Sequence, residues 1–175
     1  MSALWVGGHG GVHDGRVHAP MTTAQLDAVM AIEAAAYAFP WTRGNFIDSL
    51  AAGYPARVLL GAQRQLLGYF VAMPGVDEMH LLNITVAPAE QGRGHARFMI
   101  DSLIPMCHEQ GAHELWLEVR RSNERARAMY LRLGFTAVGE RKGYYPAPLG
   151  RREDAVVMSL KIGAAPRREA GDALE

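Results

Sequence analysis

Residues 86 to 100 read VAPAEQGRGHARFMI, setting Gly92 and Gly94 around Arg93 where an apolar run gives way to a helix-like pattern. Glycine there costs conformational entropy, so the chain needs either an unusual backbone angle or room for something that approaches too closely for a side chain. A bound phosphate is one such thing, because a helix N-terminus offers unpaired backbone N–H groups and the positive end of the helix dipole. Two familiar phosphate motifs do not match. The phosphate loop of nucleotide hydrolases would require Lys-Ser/Thr where His95-Ala96 stands, and the dinucleotide fingerprint would require a third glycine where Arg97 stands. Taken alone, the stretch is equally consistent with a glycine turn that starts a helix and binds nothing.

A second group with chemical potential follows on a strand. In LWLEVR, Glu118 shares a face with Trp116 while Leu115, Leu117 and Val119 take the other. Partial burial there is expected to raise the carboxyl pKa toward the range of a general base; a solvent-facing glutamate is the alternative. Tyr130 and Asn123 lie on the next helix, where a core tyrosine and a simple helix cap explain them without chemistry.

The elements that must hold these residues can be read from periodicity. Thr22 and Gln25 have capping-box spacing ahead of a helix with Leu26, Val29, Met30, Glu33, Ala36 and Tyr37. A second short helix is predicted over roughly 42 to 51, then a hairpin turning around Gln63 to Gln65. The nearly continuous apolar run 79 to 88 predicts a central strand buried on both faces. Ala96, Met99, Ile100, Leu103, Met106 and Cys107 mark the longest helix, ending near Gly111. A strand over 113 to 120, a helix capped by Asn123 and stopped at Gly134, and two closing strands complete the chain. The alternation predicts an α/β (α+β) domain: a mixed central sheet with helices on both faces.

With 175 residues the chain suits one domain. Lysine plus arginine and aspartate plus glutamate both total 18, so no global field favours nucleic acid or an anionic membrane, and any anionic ligand must be held locally. No apolar run approaches the ~18 residues of a membrane span. One cysteine, Cys107, excludes an internal disulfide, fits a reducing compartment, and sits in the packing pattern of the long helix as an inert core thiol. Residues 1–20 read as a disordered leader in which His9, His13 and His18 are solvated rather than metal-bound, 21–162 as the folded domain, and 163–175 as a flexible tail.

The order of a strand, a Q-x-x-G-x-A turn, a helix, a strand with glutamate, an Asn-capped helix, a tyrosine and LGF resembles the GNAT superfamily of acyl-coenzyme A dependent N-acetyltransferases. Gln91, Gly94 and Ala96 match its pyrophosphate signature. FPWT, LLNITVAP, LWLEVRRSN, AMYLRLGF, GYYP and GRREDAVVMSL narrow the resemblance to the bacterial ribosomal-protein alanine N-acetyltransferases. It runs from about Thr22 to Ile162 and implies a mostly antiparallel central sheet of the GNAT acyl-CoA N-acyltransferase type. It implies acetyl-coenzyme A as co-substrate, held by Ile84, Thr85 and Val86 on the strand, by Gly92, Arg93, Gly94, His95, Ala96 and Arg97 at the helix start, and by Asn123. Glu118 matches the family's proton acceptor and Tyr130 its proton donor. Three positions depart from the pattern: Gly92 where arginine is frequent, His95 where a small apolar residue is usual, and Ala96 where glycine is common.

The activity so implied is transfer of acetyl to the α-amino group of an N-terminal alanine of a small-subunit ribosomal protein, with a lysine side chain, a polyamine or an antibiotic amine as alternative acceptors. A binding module that holds coenzyme A without catalysis is a further alternative. An α-amino group titrates near ~7.7 to 8.0, so a base must deprotonate it before it attacks a thioester. Glu118, directly or through a water, would be that base. A strand N–H would stabilise the resulting oxyanion, and Tyr130 would supply a proton to the leaving thiolate, whose parent thiol has a pKa of roughly 8.5. No metal is needed. A cytoplasmic monomer without nucleic-acid or membrane contacts is the expected form; the acidic residues Glu33, Asp77 and Glu78 have no place in this scheme from sequence alone.

Overall fold

The computed structural model describes residues 15–163, and their strands form one seven-stranded sheet in the order β1-β2-β3-β4-β5-β7-β6. The strands are β1 (Val17–Pro20), β2 (Ala56–Leu60), β3 (Leu66–Pro74), β4 (Glu78–Val86), β5 (Glu114–Arg120), β6 (Thr136–Pro146) and β7 (Arg152–Lys161). Every neighbouring pair is antiparallel except β4 and β5, which run parallel because helix α3 (His95–Glu109) crosses between them. The predicted mixed, mostly antiparallel sheet is therefore the observed one.

The sheet separates two cores. Met99, Ile100, Leu103 and Cys107 of α3 are buried with Leu115, Leu117 and Val119 of β5, and helix α4 (Glu124–Arg132) packs Ala126, Met129 and Tyr130 against them. Helices α1 (Leu26–Ala36) and α2 (Arg43–Ala51) cover the opposite face, with Leu26, Val29 and Phe46 against Val58, Tyr69 and Val71. The helix starts follow the local chemistry read from sequence. Gln25 reaches back to the Thr22 amide, and Thr42 accepts from the Asn45 amide at 3.2 Å.

β4 is the strand on which the two halves of the molecule turn. It pairs with β3 as Ala72↔Leu81 and then Val71↔Asn83, so Leu82 is an extra residue and the strand bulges. The bulge inverts the alternation. Met79 and Leu81 before it, and Ile84 and Val86 after it, all face the α3 core, while Leu82 packs on the α1 side. The predicted burial of both faces is thus achieved, with a change of parity in mid-strand that the apolar run concealed.

Two expectations for the leader are corrected. Val17–Pro20 is not disordered but pairs with Leu60 to Arg57 as the edge strand β1. His18 is not solvated: its ring stacks on Phe98 with centroids 5.1 Å apart, and burial, reinforced by the charges of Arg57 and Arg16, pushes its pKa down to about 4. A four-residue strand carries little periodic signal; only the free edge of β2 makes it a strand. Residues 1–14, with His9 and His13, and the tail beyond Gly163 lie outside the described residues.

Candidate active site

The parallel ladder between β4 and β5 runs only from Glu78↔Glu114 to Leu81↔Leu117. Beyond it lie the bulge on one strand and Glu118 on the other, so the sheet opens into a cleft between Leu82–Val86 and Glu118–Arg120. A long β4 that bends away at Leu82 while β5 stays with β7 is enough to cause the split.

The helix-start segment lies at the end of β4. Gly92 and Gly94 both have left-handed backbone angles, φ +81° and +78°, which non-glycine residues adopt only at a cost. A Cβ at Gly94 would meet nothing within 4 Å, and one at Gly92 only Arg125 Nη2 at 3.4 Å, so the concave side of the turn is open. Gly94 is the N-cap of α3 and no side chain caps it. Phe98 is the first amide of the helix to reach a carbonyl, Gly94 O at 3.1 Å, so the preceding amides keep their hydrogens for a ligand. Open space, uncapped amides and Arg125 nearby fit a diphosphate. Arg93 is held by Glu90 at 2.9 Å and Arg97 lies 3.6 Å from Asp101, so both are partly neutralised. His95 is buried, its Nδ1 3.3 Å from Arg16 Nη1, and it faces away from the open turn into a separate cavity with Gln65 and Glu90.

Ile84, Thr85 and Val86 line the β4 side. Thr85 is buried and turned inward, bonded to Asn83 Oδ1 at 2.8 Å and to the Tyr37 hydroxyl at 2.9 Å, so its side chain is not free for a ligand. Asn123 caps α4 through a bond from the Ala126 amide to its Oδ1 at 3.1 Å, which commits one end of the side chain to the cap.

Glu118 stands at the fork, with its side chain only 7 % exposed. Its Oε2 meets His80 Nε2 at 2.5 Å and its Oε1 accepts from Arg141 Nε at 2.9 Å. The expected rise in its pKa is not found. Burial does push it up, but the hydrogen bond and charge of His80 together with those of Arg141 outweigh burial and hold the carboxyl below its ordinary range. These partners lie on β4 and β6, far from Glu118 in sequence, and so escaped the strand pattern. With Glu78 and Trp116 the three line a cavity of about 190 Å³ on the face of the sheet opposite α3.

Tyr130 is 6 % exposed, its ring 5.5 Å from Phe135. Burial, with the neighbouring phenols of Tyr37 and Tyr145, raises its pKa well above the ordinary phenol value, so it stays protonated at every physiological pH. Across the cleft, Tyr145 donates to Glu118 O at 3.0 Å, and Arg120 stacks over its ring at 4.5 Å while pairing with Glu153 at 3.0 Å. Phe39 and Tyr144 remain exposed beside it, a wall suited to a peptide. Glu33, 1 % exposed, is structural: it accepts from the Trp41 amide at 2.8 Å, from the Tyr69 hydroxyl and from Asn83, tying the segment before α2 to β3 and β4. Cys107 is fully buried and its thiol is pushed up to about 11 by burial, as an inert core thiol should be.

Comparison with known proteins agrees with this geometry. The sequence model of the Acetyltransferase (GNAT) family matches residues 26–135. The [ribosomal protein bS18]-alanine N-acetyltransferase of Haemophilus ducreyi is 37 % identical over 131 residues, covering 75 % of this chain and 90 % of that protein. Its Salmonella typhimurium counterpart is 37 % identical over 142 residues, 81 % of this chain and 95 % of the relative. The crystal structure of the ribosomal-protein-S18-alanine N-acetyltransferase from Escherichia coli superposes with a TM-score of 0.77 at 35 % identity, covering 87 % of this chain and 97 % of that one.

Proposed function

The chain belongs to the acetyltransferase (GNAT) family and is an acetyl-coenzyme A dependent N-acetyltransferase, and from that premise we propose that its acceptor is the α-amino group of an N-terminal alanine on a small-subunit ribosomal protein. The observation that carries this reading is the cleft at the β4–β5 fork. Uncapped amides stand at its one end, and a carboxylate with a histidine and aromatic walls at the other. Coverage of 90 % or more of relatives bearing that activity supports the choice of acceptor.

Acetyl-coenzyme A supplies an acyl group activated as a thioester. The chain's part is to bind and orient it and to move protons. The amides ahead of Phe98, with Gly92 and Gly94 keeping the turn open, would hold the diphosphate. The unpaired side of β4 from Ile84 to Val86 would accept the carrier's arm as a strand-like partner, and the free end of Asn123 adds a polar contact. Glu118 receives the incoming ammonium in a partly dry cavity and takes part in removing its proton. Tyr130, always protonated, donates its hydrogen to the departing sulfur. Among the described residues no group of three or more potential ligands gathers to hold a metal, and no helix is long and apolar enough to cross a membrane. We place this chemistry in a cytoplasmic monomer, where ribosomal proteins are made.

Incubation with acetyl-coenzyme A and a peptide carrying the N-terminus of the ribosomal protein, beside lysine, polyamine and antibiotic amines, tests the reading by mass spectrometry. One acetyl on the peptide's α-amino group is expected. Turnover of the free amines alone would overturn it.

A further inference from the structure

We propose that His80 Nδ1 is the proton acceptor for the incoming amine, with Glu118 holding the imidazole in the tautomer that takes the proton. This rests on the N-terminal acetyltransferase reading and assigns a residue that the family resemblance leaves out.

His80 lies on β4 just before the bulge, so it faces the cavity rather than the α3 core. Its side chain is 22 % exposed, against 7 % for Glu118, which makes it the more accessible of the two to an acceptor. Glu118 has both oxygens engaged, one by His80 Nε2 at 2.5 Å and one by Arg141 Nε at 2.9 Å. An ionised carboxylate can only accept, so the hydrogen between the two side chains belongs to Nε2. The lone pair of the neutral ring is then on Nδ1, which no described residue bonds. That is the division of labour of a carboxylate-oriented histidine base, with the carboxylate fixing tautomer and ring plane and stabilising the imidazolium.

The groups facing His80 are Glu78 on its own strand, Glu118 on β5 and Arg141 on β6, with Trp116 as the remaining wall. Two carboxylates against one guanidinium make the cavity attractive to an incoming ammonium. The proton balance involves two N–H bonds. The first breaks before attack, its electron pair staying on nitrogen and its proton passing to Nδ1 directly or through one water; the second breaks as the tetrahedral adduct collapses, and its proton, relayed through water, replaces the one that Tyr130 gives to the departing thiolate. The imidazolium releases its proton to solvent after product leaves.

The test is the pH profile of kcat/KM for the alanine-initiated peptide, with His80→Gln and His80→Ala beside the wild type. The wild type should show an acidic limb, as protonation of the base removes its lone pair. His80→Gln keeps a donor toward Glu118 but offers no base. It should lose that limb and fall about a hundredfold at neutral pH, with KM for acetyl-coenzyme A within twofold and an unchanged melting temperature. Added imidazole should restore part of the rate to His80→Ala, a rescue that a merely structural role would not give. Retention of both the rate and the limb in His80→Gln, or a rate loss with the limb intact and no rescue, overturns the proposal. If the wild type acetylates only free amines, the acceptor reading falls, and the same profile measured on that amine still decides the role of His80.

Discussion

The two ends of the cleft are built by opposite means. At the helix start the working groups are main-chain amides from one run of residues, kept open by two glycines with positive φ. At the fork they are side chains brought from β4, β5 and β6, with His80, Glu118 and Arg141 meeting only because strands distant in sequence are neighbours. A main-chain cradle tolerates side-chain change and depends on backbone angle. A side-chain cluster depends on every member, because a carboxylate's basicity is set by what stands beside it.

Breaking the fork should therefore cost most, and in kcat. Glu118→Gln removes the anion that orients His80 and pairs with Arg141; kcat should fall by a hundredfold or more, on the order of 10²–10⁴, while KM for acetyl-coenzyme A stays nearly constant in steady-state assays. Tyr130→Phe keeps the ring against Phe135 and deletes only the hydroxyl. A loss of about a hundredfold in kcat is expected, and an unchanged rate would remove Tyr130 from the chemistry. The cradle should respond differently. Gly94→Val forces a β-branched residue to a φ of +78°, a strain of about 1–2 kcal/mol. The turn should shift and raise KM for acetyl-coenzyme A roughly tenfold, by the usual conversion of ~1.4 kcal/mol per decade, with kcat moved far less. A drop in kcat instead would mean that the two ends are not separable.

The smallest effect belongs to neither end. His18 has its folded pKa depressed to about 4 from an ordinary value of 6.5. The unfolded chain therefore takes up this proton first as pH falls. Stability from the buried neutral ring is complete above about pH 6.5 and is lost as pH drops toward 4. Thermal melts across that window should show a steeper loss for the wild type than for His18→Phe, and equal slopes would show the ring to be solvated after all.

What was legible follows from the same contrast. The helix-start motif, the cap at Asn123, the glutamate on its strand face and the tyrosine on its helix are each local patterns of period two, three or four, and the structure puts each on the predicted element. The strand β1 is not legible, because its four residues have no pattern of their own and exist as a strand only against β2. Alternation points the wrong way for the pKa of Glu118, because burial is partly visible in it, whereas His80 and Arg141 are not. Both could have been suspected only from the rule that a buried carboxylate seeks donors.

The amino-acid sequence by itself determined the order of elements, the open turn at Gly92 and Gly94, and the identity of the groups able to bind a diphosphate or move a proton. Those properties arise from backbone angles and side-chain periodicity, which act over a few residues. Tertiary structure alone decided where β4 leaves β5, since a one-residue bulge at Leu82 is set by pairing with β3. It likewise decided which donors share the carboxylate of Glu118, because electrostatic coupling depends on distance through space and not along the chain.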